Sequence, residues 1–333
     1  MEAAKSDNMF YELDNTVLHA QISDYGAKLT RLIVPNDKGE KADVVLGFNT
    51  EEEWRTQETY FNAIIGRYAN RIKDGIFTLD GKTYHLPVNN GTNCLHGGVS
   101  GWNEKTWDVI EHDDRHIVLH LHSADGEEGF PGNVEVYVTY ALTDDNGLSI
   151  SYRATTDAPT VISMTNHAYF NLNGETSPSV RDHRLQVLAD YYTPLDDSAA
   201  ATGEIAPVEN TAMDFRQPQL IGDRIDDPFF VPGRGIDNNW VLDTNPSATP
   251  RLAAVVKASG RTMEVYTTCP GIQVYTGNYV ENHIGKGGTM YRPQNAVCLE
   301  AQNLPDAVNH DSFPSPVLRP GETYTQETIY KFL

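Results

Sequence analysis

Alternation of apolar and polar residues with a period of two is the strongest pattern in this chain. Between residues 134 and 140, an apolar side chain occupies every second position: Val134, Val136, Val138 and Tyr140. Such alternation puts the apolar side chains on one face of a β-strand. It resumes at Leu148 after the sequence DDNG (144–147), and Asn-Gly is a strong hairpin signal. The sequence therefore predicts two long antiparallel strands that share one buried face.

The same signals recur along the chain. Two more hairpins are predicted, at 76–86 around Asp80-Gly81 and at 251–268 around Ser259-Gly260, with short strands at 272–276 and 296–299. Helical periodicity is scarce, and segments 50–57 and 222–226 are interpreted as short surface turns. Regularly spaced strands with turn signals indicate an all-β antiparallel sandwich or barrel. Because no linker, repeat or low-complexity tract interrupts them, we expect residues 1–333 to form a single domain.

Charge and cysteine content limit the partners and the compartment. The chain has 25 Lys and Arg against 46 Asp and Glu, a formal net charge of −21. Such an acidic surface repels phosphate backbones and anionic lipid, which argues against nucleic acid and membrane and favours a neutral small molecule. Three scattered cysteines are too few for a disulfide framework or a zinc cluster. Because the start, MEAAKSDNMFYELDN, lacks the apolar core of a signal peptide, we expect a cytoplasmic protein.

Glu300 is the first candidate for chemistry, because it directly follows the apolar run 296–299. Burying a polar group without partners costs about 2–7 kcal/mol. The carboxylate is therefore either solvated at the end of its strand or held in place for a function. From this pattern alone the solvated strand end is the more ordinary interpretation.

His167 is the second candidate, within TNHAYFNL (165–172). On a strand, His167, Tyr169 and Asn171 would share one face and form a hydrogen-bonding wall suited to a polyhydroxylated ligand. A core histidine with satisfied hydrogen bonds explains the local sequence equally well.

Four further residues carry weaker signals. His96 is followed by two glycines, which let a backbone approach a ligand closely, although glycine-rich turns often carry an incidental histidine. Arg67 and Arg71 lie close together in a chain with few cations, and pairing with carboxylates is the ordinary explanation for both. Asp237, between a glycine turn and Trp240, is either an acceptor for a sugar hydroxyl or a turn aspartate.

Two other patterns are set aside. His116, His120 and His122 fall on one strand face, but no third ligand follows nearby and a solvated face explains them better. The segment GKGG (285–288) lacks the spacing of a phosphate-binding loop and a following helix. We therefore predict no metal site.

Ten strings, in order along nearly the whole chain, resemble the galactose mutarotase (aldose 1-epimerase) family. Together they are highly specific. They are LGFNTEEEW (46–54), GRYANRI (66–72), LDGKTYHLPVNNGTNCLHGG (79–98), EEGFPGNVEVYVTYAL (127–142), TNHAYFNL (165–172), YTPLDD (192–197), TGEIAPV (202–208), MDFRQP (213–218), PGIQVYTGN (270–278) and CLEAQNLPDAVN (298–309).

The resemblance implies a large twisted antiparallel β-sandwich with few short helices, an open sugar cleft and no cofactor. It implies that Glu300 is the general base, that His167 is the general acid and that His96 is a second histidine bonded to the sugar. The remaining expected sugar contacts are Asn70, Arg71, Tyr169, Asp237 and Gln273. One departure is Asn238, which follows Asp237 where the family commonly has a histidine.

The implied reaction opens the hemiacetal of a free aldohexose and closes it on the other face of the carbonyl. Ionised Glu300 would take the proton of the C1 hydroxyl while His167 protonates the ring oxygen. Because an unperturbed imidazole titrates at about 6.5, we expect nearby carboxylates such as Glu300 to raise the pKa of His167. A monomer or weak homodimer is expected.

Three other functions remain open at this stage. A carbohydrate-binding module or sugar sensor would need only Tyr169, Asn171 and similar groups. A hexose-phosphate epimerase would need extra cations, and no cluster beyond Arg67 and Arg71 is present. A glycoside hydrolase would need two opposed carboxylates, which the sequence neither shows nor excludes.

Overall fold

The computed structural model describes residues 9–56, 60–245 and 247–333. Within these ranges the chain forms 28 strands, two short α-helices and six single 3-10 turns. Residues 1–8 lie outside the described residues, and they include much of the segment that was expected not to be a signal peptide. Gln57 of the predicted turn at 50–57 also lies outside them.

The first strands are β1 (Phe10–Asp14), β2 (His19–Ser23), β3 (Leu29–Pro35), β4 (Lys41–Asp43), β5 (Ile64–Ile65), β6 (Arg71–Ile72), β7 (Ile76–Leu79), β8 (Lys82–His85), β9 (Cys94–Leu95), β10 (Asp108–His112), β11 (His116–Ser123), β12 (Val134–Leu142), β13 (Gly147–Thr156) and β14 (Thr160–Val161). The others are β15 (Thr165–Asn166), β16 (Arg184–Val187), β17 (Tyr191–Tyr192), β18 (Ala206–Pro207), β19 (Gln219–Leu220), β20 (Asp237–Val241), β21 (Arg251–Ala258), β22 (Arg261–Thr267), β23 (Gly271–Tyr275), β24 (His283–Ile284), β25 (Met290–Tyr291), β26 (Cys298–Gln302), β27 (Val317–Leu318) and β28 (Tyr324–Phe332). The helices are α1 (Glu51–Thr56) and α2 (Ile221–Arg224), and the 3-10 turns are Lys73–Gly75, Trp102–Glu104, Glu127–Gly129, Val231–Gly233, Lys286–Gly288 and Ala307–Asn309.

The largest sheet is antiparallel and has nine strands, in the order β10-β11-β12-β13-β28-β22-β21-β16-β19. The predicted hairpin β12–β13 is confirmed, with Val138 opposite Tyr152. Val134, Val136, Val138 and Tyr140 are all fully buried, as the alternation predicts. Hairpins β7–β8 and β21–β22 also form where the turn signals place them.

A second antiparallel sheet of five strands, in the order β18-β17-β20-β23-β26, packs against the first. One of its faces is apolar and joins the main core through Trp240, Ile272, Val274 and Leu299. The Tyr330 hydroxyl of β28 donates to the Leu299 carbonyl at 3.0 Å and ties the two sheets together. The other face carries polar side chains, and the candidate site lies there.

Smaller sheets complete an all-β architecture, which confirms the predicted fold class. Strands β1–β4 form a four-stranded antiparallel sheet. Four two-stranded sheets, β5–β15, β6–β9, β7–β8 and β14–β27, pair segments that are mostly far apart along the chain, and a further small sheet pairs β24 with β25. The pair β6–β9 carries residues of the candidate site, and β15 ends one residue before His167.

The two segments predicted as surface turns contain short helices. Thr50 and Glu53 form a reciprocal capping box, in which each side-chain oxygen accepts the other residue's N–H, at 3.2 and 2.9 Å. Trp54 is buried and packs edge-to-face on Phe48, so α1 is anchored to the core. In α2, Ile221 is buried in the main hydrophobic core. No helix among the described residues is long and apolar enough to span a bilayer.

Candidate active site

All eight residues expected to act on the sugar line one cleft of about 410 Å³, a volume typical of small-molecule sites. The cleft lies over the polar face of the five-stranded sheet. Its lining residues are Tyr60, Asn70, Arg71, Asn90, Leu95, His96, His167, Tyr169, Asp197, Ser198, Ala199, Asp237, Gln273, Tyr275, Tyr279, Val280 and Glu300.

The register of the five-stranded sheet places three of these residues side by side. Gln273 on β23 lies opposite Glu300 on β26 and opposite Asn239 on β20. Asp237 precedes Asn239 by two residues and therefore shares its face. Asn238 lies on the opposite face, so the departure from the family pattern at that position does not reach the cleft.

Glu300 is not a solvated strand end, which was the ordinary interpretation of its sequence. Only 2% of its surface is exposed, and it lies within β26 rather than beyond it. Among the described residues, its Oε2 atom has no hydrogen-bond partner. Because a buried polar atom without a partner is costly, Glu300 is held at a position that folding alone does not favour.

The segment around His167 differs from the strand that the sequence predicted. Only Thr165–Asn166 is a strand, and the irregular backbone that follows turns His167 and Tyr169 into the cleft with their rings stacked at 5.0 Å. The expectation that Asn171 shares their face is wrong. Its amide donates instead to the Asn295 carbonyl at 2.8 Å, away from the cleft.

The pair β6–β9 carries three further residues of the site. Arg71 lies opposite Leu95, which brings Asn70 and His96 together at the end of the pair. The Arg71 guanidinium donates to the Asn90 side chain at 2.9 Å. The glycine after His96 serves chain packing and does not approach the cleft, because a Cβ on Gly97 would lie 2.2 Å from the carbonyl oxygen of Gly66.

Glu300 and His167 face each other inside the cleft. The distance from His167 Nε2 to Glu300 Oε1 is 3.5 Å, and both side chains are almost fully buried. His167 Nδ1, like Glu300 Oε2, has no hydrogen-bond partner among the described residues. An acid–base pair with unsatisfied atoms in a cleft is a recognised signature of a catalytic site.

Burial controls the protonation of this pair. It lowers the pKa of His167 to about 4, so the expectation that Glu300 raises this pKa is wrong. Burial, assisted by the charge of Asp237 and opposed by Arg71, raises the pKa of Glu300 well above its ordinary value. At a pH above about 4 and below the raised pKa of Glu300, the pair therefore holds one proton, on Glu300, and carries no net charge.

The described lining of the cleft contains more carboxylates than Lys and Arg side chains. Asp237 accepts a hydrogen bond from Gln273 Nε2 at 2.7 Å and lies 3.8 Å from an Arg71 nitrogen. Arg71 is the single Lys or Arg among the described lining residues, which also include Asp197 and Glu300.

Arg67, the other candidate cation, lies outside the cleft. It is buried and donates to the Pro131 carbonyl and the Ser123 hydroxyl, each at 2.7 Å. It is therefore a structural residue, although not the partner of a carboxylate that its sequence suggested.

Sequence reasoning missed several lining residues. Tyr275 could have been found by alternation, because it follows Gln273 by two residues on β23. Tyr60, whose ring packs edge-to-face on His96 at 4.6 Å, lies in none of the matched strings. Asp197 and Ser198 reach the cleft through an irregular loop, and no local pattern predicts that placement.

Among the described residues, one group of possible metal ligands converges. His96, His167 and Glu300 have ligand atoms within 4.8 Å of one another. The Nδ1 atom of His96, however, accepts the Asn70 N–H at 3.1 Å, whereas the second nitrogen of a metal-bound histidine normally donates. The donor set therefore does not fit a metal centre.

The histidines set aside at 116, 120 and 122 form no such group in the described residues. His120 and His122 each contact the exposed Glu135 at 2.6 Å, one on either carboxylate oxygen. Lys286 of the GKGG segment turns inward to Asp43 at 2.7 Å.

Comparison with known proteins identifies the family. The sequence profile described as Aldose 1-epimerase matches residues 9–331. The chain belongs to the aldose 1-epimerase family. Among family members, it is 43% identical to the galactose mutarotase of Mus musculus, over 97% of this chain and 93% of that protein. It is 38% identical to the aldose 1-epimerase of Escherichia coli K12, over 96% and 93%.

Solved structures of aldose 1-epimerase relatives have the same fold. An aldose epimerase homologue from C. elegans superposes with a TM-score of 0.89 at 32% identity, over 97% of this chain and 98% of that one. The galactose 1-epimerase of Lactobacillus acidophilus gives a TM-score of 0.84 at 27% identity, over 100% and 97%.

Proposed function

We propose that this protein is an aldose 1-epimerase that interconverts the α and β anomers of free hexoses such as galactose and glucose. The observation that carries the proposal is the buried pair of Glu300 and His167, 3.5 Å apart and open to one cleft. The reaction needs one group that takes a proton from the C1 hydroxyl and one that gives a proton to the ring oxygen, and both of these oxygens are bonded to C1.

The ring opens from the form of the pair in which Glu300 is ionised and His167 is protonated. Glu300 takes the proton of the C1 hydroxyl, and the C1–O1 bond becomes a carbonyl. The bond from C1 to the ring oxygen breaks, its electron pair stays on that oxygen, and His167 supplies the proton. Rotation about C1–C2 presents the other face, and the reverse steps close the ring as the other anomer.

The pKa values of the pair suit this cycle. After ring opening, Glu300 holds the proton and His167 is neutral, which is the arrangement that burial favours. Ring closure restores the starting form, because Glu300 gives its proton to the carbonyl oxygen and His167 takes the proton of the hydroxyl that becomes the ring oxygen. A sugar hydroxyl that donates to the Glu300 carboxylate stabilises its charged form.

The other polar residues of the cleft hold the hydroxyl groups that do not react. We assign this role to Asn70, Arg71, Asp237 and Gln273, with Tyr169 as an apolar wall stacked on His167. Fixing the remainder of the sugar lets only the C1 end move, an orientation effect that lowers the barrier.

The cleft supports a neutral sugar over a hexose phosphate. Arg71 is the one Lys or Arg among the described lining residues, and it is already bonded to Asn90 and close to Asp237. A phosphate would also meet the charges of Asp197 and Asp237. A binding module without turnover would have no use for a buried pair in which each member leaves one polar atom without a partner.

Polarimetry of freshly dissolved α-galactose and α-glucose tests the proposal. We expect the protein to accelerate the change in optical rotation for at least one sugar without altering its end point. Absence of acceleration with both sugars, in a preparation that binds them, would leave a sugar-binding protein instead.

The finer details of the proposal are a free aldohexose substrate, a cytoplasmic location and a monomer or weak homodimer. All three cysteines are free and buried, which suits a reducing compartment. Sedimentation equilibrium would test the oligomeric state, and a tight tetramer would overturn that part.

A further inference from the structure

His96 and Asn70 are joined by two hydrogen bonds of opposite direction. The Asn70 N–H donates to His96 Nδ1 at 3.1 Å, and the His96 N–H donates to the Asn70 carbonyl at 3.1 Å. A backbone N–H acts only as a donor, so the ring nitrogen that it meets carries no proton. A neutral imidazole has one N–H, and in His96 it is therefore on Nε2.

The surroundings hold this tautomer in place. Both residues have a positive φ, 64° for Asn70 and 53° for His96, and the Asn70 side chain accepts the Arg71 N–H at 2.8 Å. The ring is buried and packs edge-to-face on Tyr60 at 4.6 Å. A proton on Nδ1 would point directly at another N–H, which this backbone cannot turn away.

Charge around the ring acts in the same direction. Burial lowers the pKa of His96 well below its ordinary value, and His167 and Arg71 lower it further. The ring is 5.3 Å from the ring of His167, at the end of the cleft where the reaction occurs.

We propose that His96 is a permanently neutral hydrogen-bond donor, through Nε2–H, to the C1 oxygen of the sugar, and that the Asn70 main chain fixes it in this role. Negative charge develops on the C1 oxygen as its proton passes to Glu300, and a fixed donor stabilises that charge. The ring oxygen, which gains a proton from His167, would not benefit from a second donor. This inference rests on the proposed function. Within it, His96 transfers no proton and Asn70 is a positioning residue.

Nitrogen-15 NMR of the full-length protein with labelled histidine tests the tautomer, with His96→Gln used to assign the signals. We expect an unprotonated Nδ1 and a protonated Nε2 in His96, unchanged between about pH 5.5 and 9 and after galactose is added. A protonated Nδ1, or titration near the ordinary imidazole value of about 6.5, would overturn the proposal.

Asn70→Gly is the matched control. Glycine keeps the main-chain N–H and tolerates the positive φ, so the NMR signature of His96 should persist without the Asn70 side chain. A changed tautomer in this variant would show that the side chain, and not the main chain, fixes the ring.

Kinetics of two variants separate donation from proton transfer. The amide of His96→Gln can donate a hydrogen bond but cannot exchange a proton, whereas His96→Leu can do neither. We expect a loss of kcat of about 10²–10³-fold for His96→Leu, a clearly smaller loss for His96→Gln, and unmoved limbs of the pH–rate profile in both. Equal losses or a moved limb would overturn the proposal.

Different results would refute the proposed function and the inference about His96. Wild-type protein without mutarotation would refute the proposed function, whatever the state of His96. Normal wild-type activity combined with a titrating His96 would refute only the inference about this residue.

Discussion

Two buried acid–base pairs of this protein have similar components and opposite character. Lys286 and Asp43 meet at 2.7 Å, and Lys286 Nζ also donates to the Val45 carbonyl at 3.0 Å. Asp43 Oδ1 accepts the Leu32 N–H at 3.1 Å. Nearly every polar atom of this pair has a partner, as expected for a buried ion pair that stabilises a fold.

Glu300 and His167 are further apart, at 3.5 Å, and each leaves a polar atom without a partner. Burial acts on both groups against their charged forms. Burial alone therefore does not distinguish a structural pair from a reactive one. Glu300 and His167 differ from Lys286 and Asp43 because they line a cleft and leave polar atoms unsatisfied.

Glu300→Gln should have the largest effect and should act on rate. Removing the proton acceptor is expected to lower kcat by about 10²–10⁴-fold, while the amide keeps the shape of the site and galactose affinity changes little. Polarimetry and isothermal titration measure the two quantities. Glu135→Gln, which alters an exposed carboxylate, is the control, and loss of binding with kcat retained would make Glu300 a contact residue only.

Lys286→Met should act on stability. It removes the nearer cation of the Asp43 carboxylate, at 2.7 Å, and leaves the half-exposed Arg31 at 3.7 Å, a change expected to cost about 1–3 kcal/mol of the free energy of unfolding. Urea unfolding measures the cost, and kcat of the folded variant should stay near that of the wild type. Adding Asp43→Asn should recover part of the loss. A cost below about 1 kcal/mol would contradict the contrast between the pairs.

Glu300→Gln should also change how stability depends on pH. Because the pKa of Glu300 is raised in the folded state, its contribution is fully present below the unfolded value of about 4.5 and is lost as pH rises through the folded pKa. The glutamine variant lacks this loss, so its Tm relative to wild type should rise over that window. A relative Tm that falls with increasing pH would contradict the assigned direction.

His122→Gln should have the smallest effect. His122 contacts Glu135 at 2.6 Å, but about half of its side chain, 52%, is exposed. Exposed pairs contribute little, so we expect a change within about 0.5 kcal/mol in urea unfolding and an unchanged kcat. A larger loss would mean that surface pairing matters more here than in the ordinary case.

The strand framework could be predicted from local sequence because one rule governs it. Alternation and turn residues located β12, β13 and their hairpin, since a period-two pattern has only one way to bury its apolar side. The helix around Trp54 was missed, because a single anchoring tryptophan gives no helical period. Its signal was the capping sequence from Thr50 to Glu53.

The site residues could be named from motifs, but their relative positions and their protonation could not be predicted from local sequence. The placement of Glu300 and His167 together depends on pairing between strands far apart in sequence, which the family resemblance supplied. Their pKa values depend on how deeply the cleft is buried, and local sequence does not record that depth. The expectation for Asn171 was wrong for a different reason, because an irregular backbone follows Asn166 where a continuous strand was expected.

The pH–rate profile of mutarotation, followed by polarimetry on fresh α-galactose, tests the central claim that Glu300 and His167 share one proton. We predict a plateau that begins above an acid limb near pH 4, where His167 takes up a second proton. An alkaline limb should follow well above the ordinary carboxyl range, where Glu300 loses the shared proton. A flat profile, or a midpoint at about 6.5 as for a free imidazole, would contradict the claim.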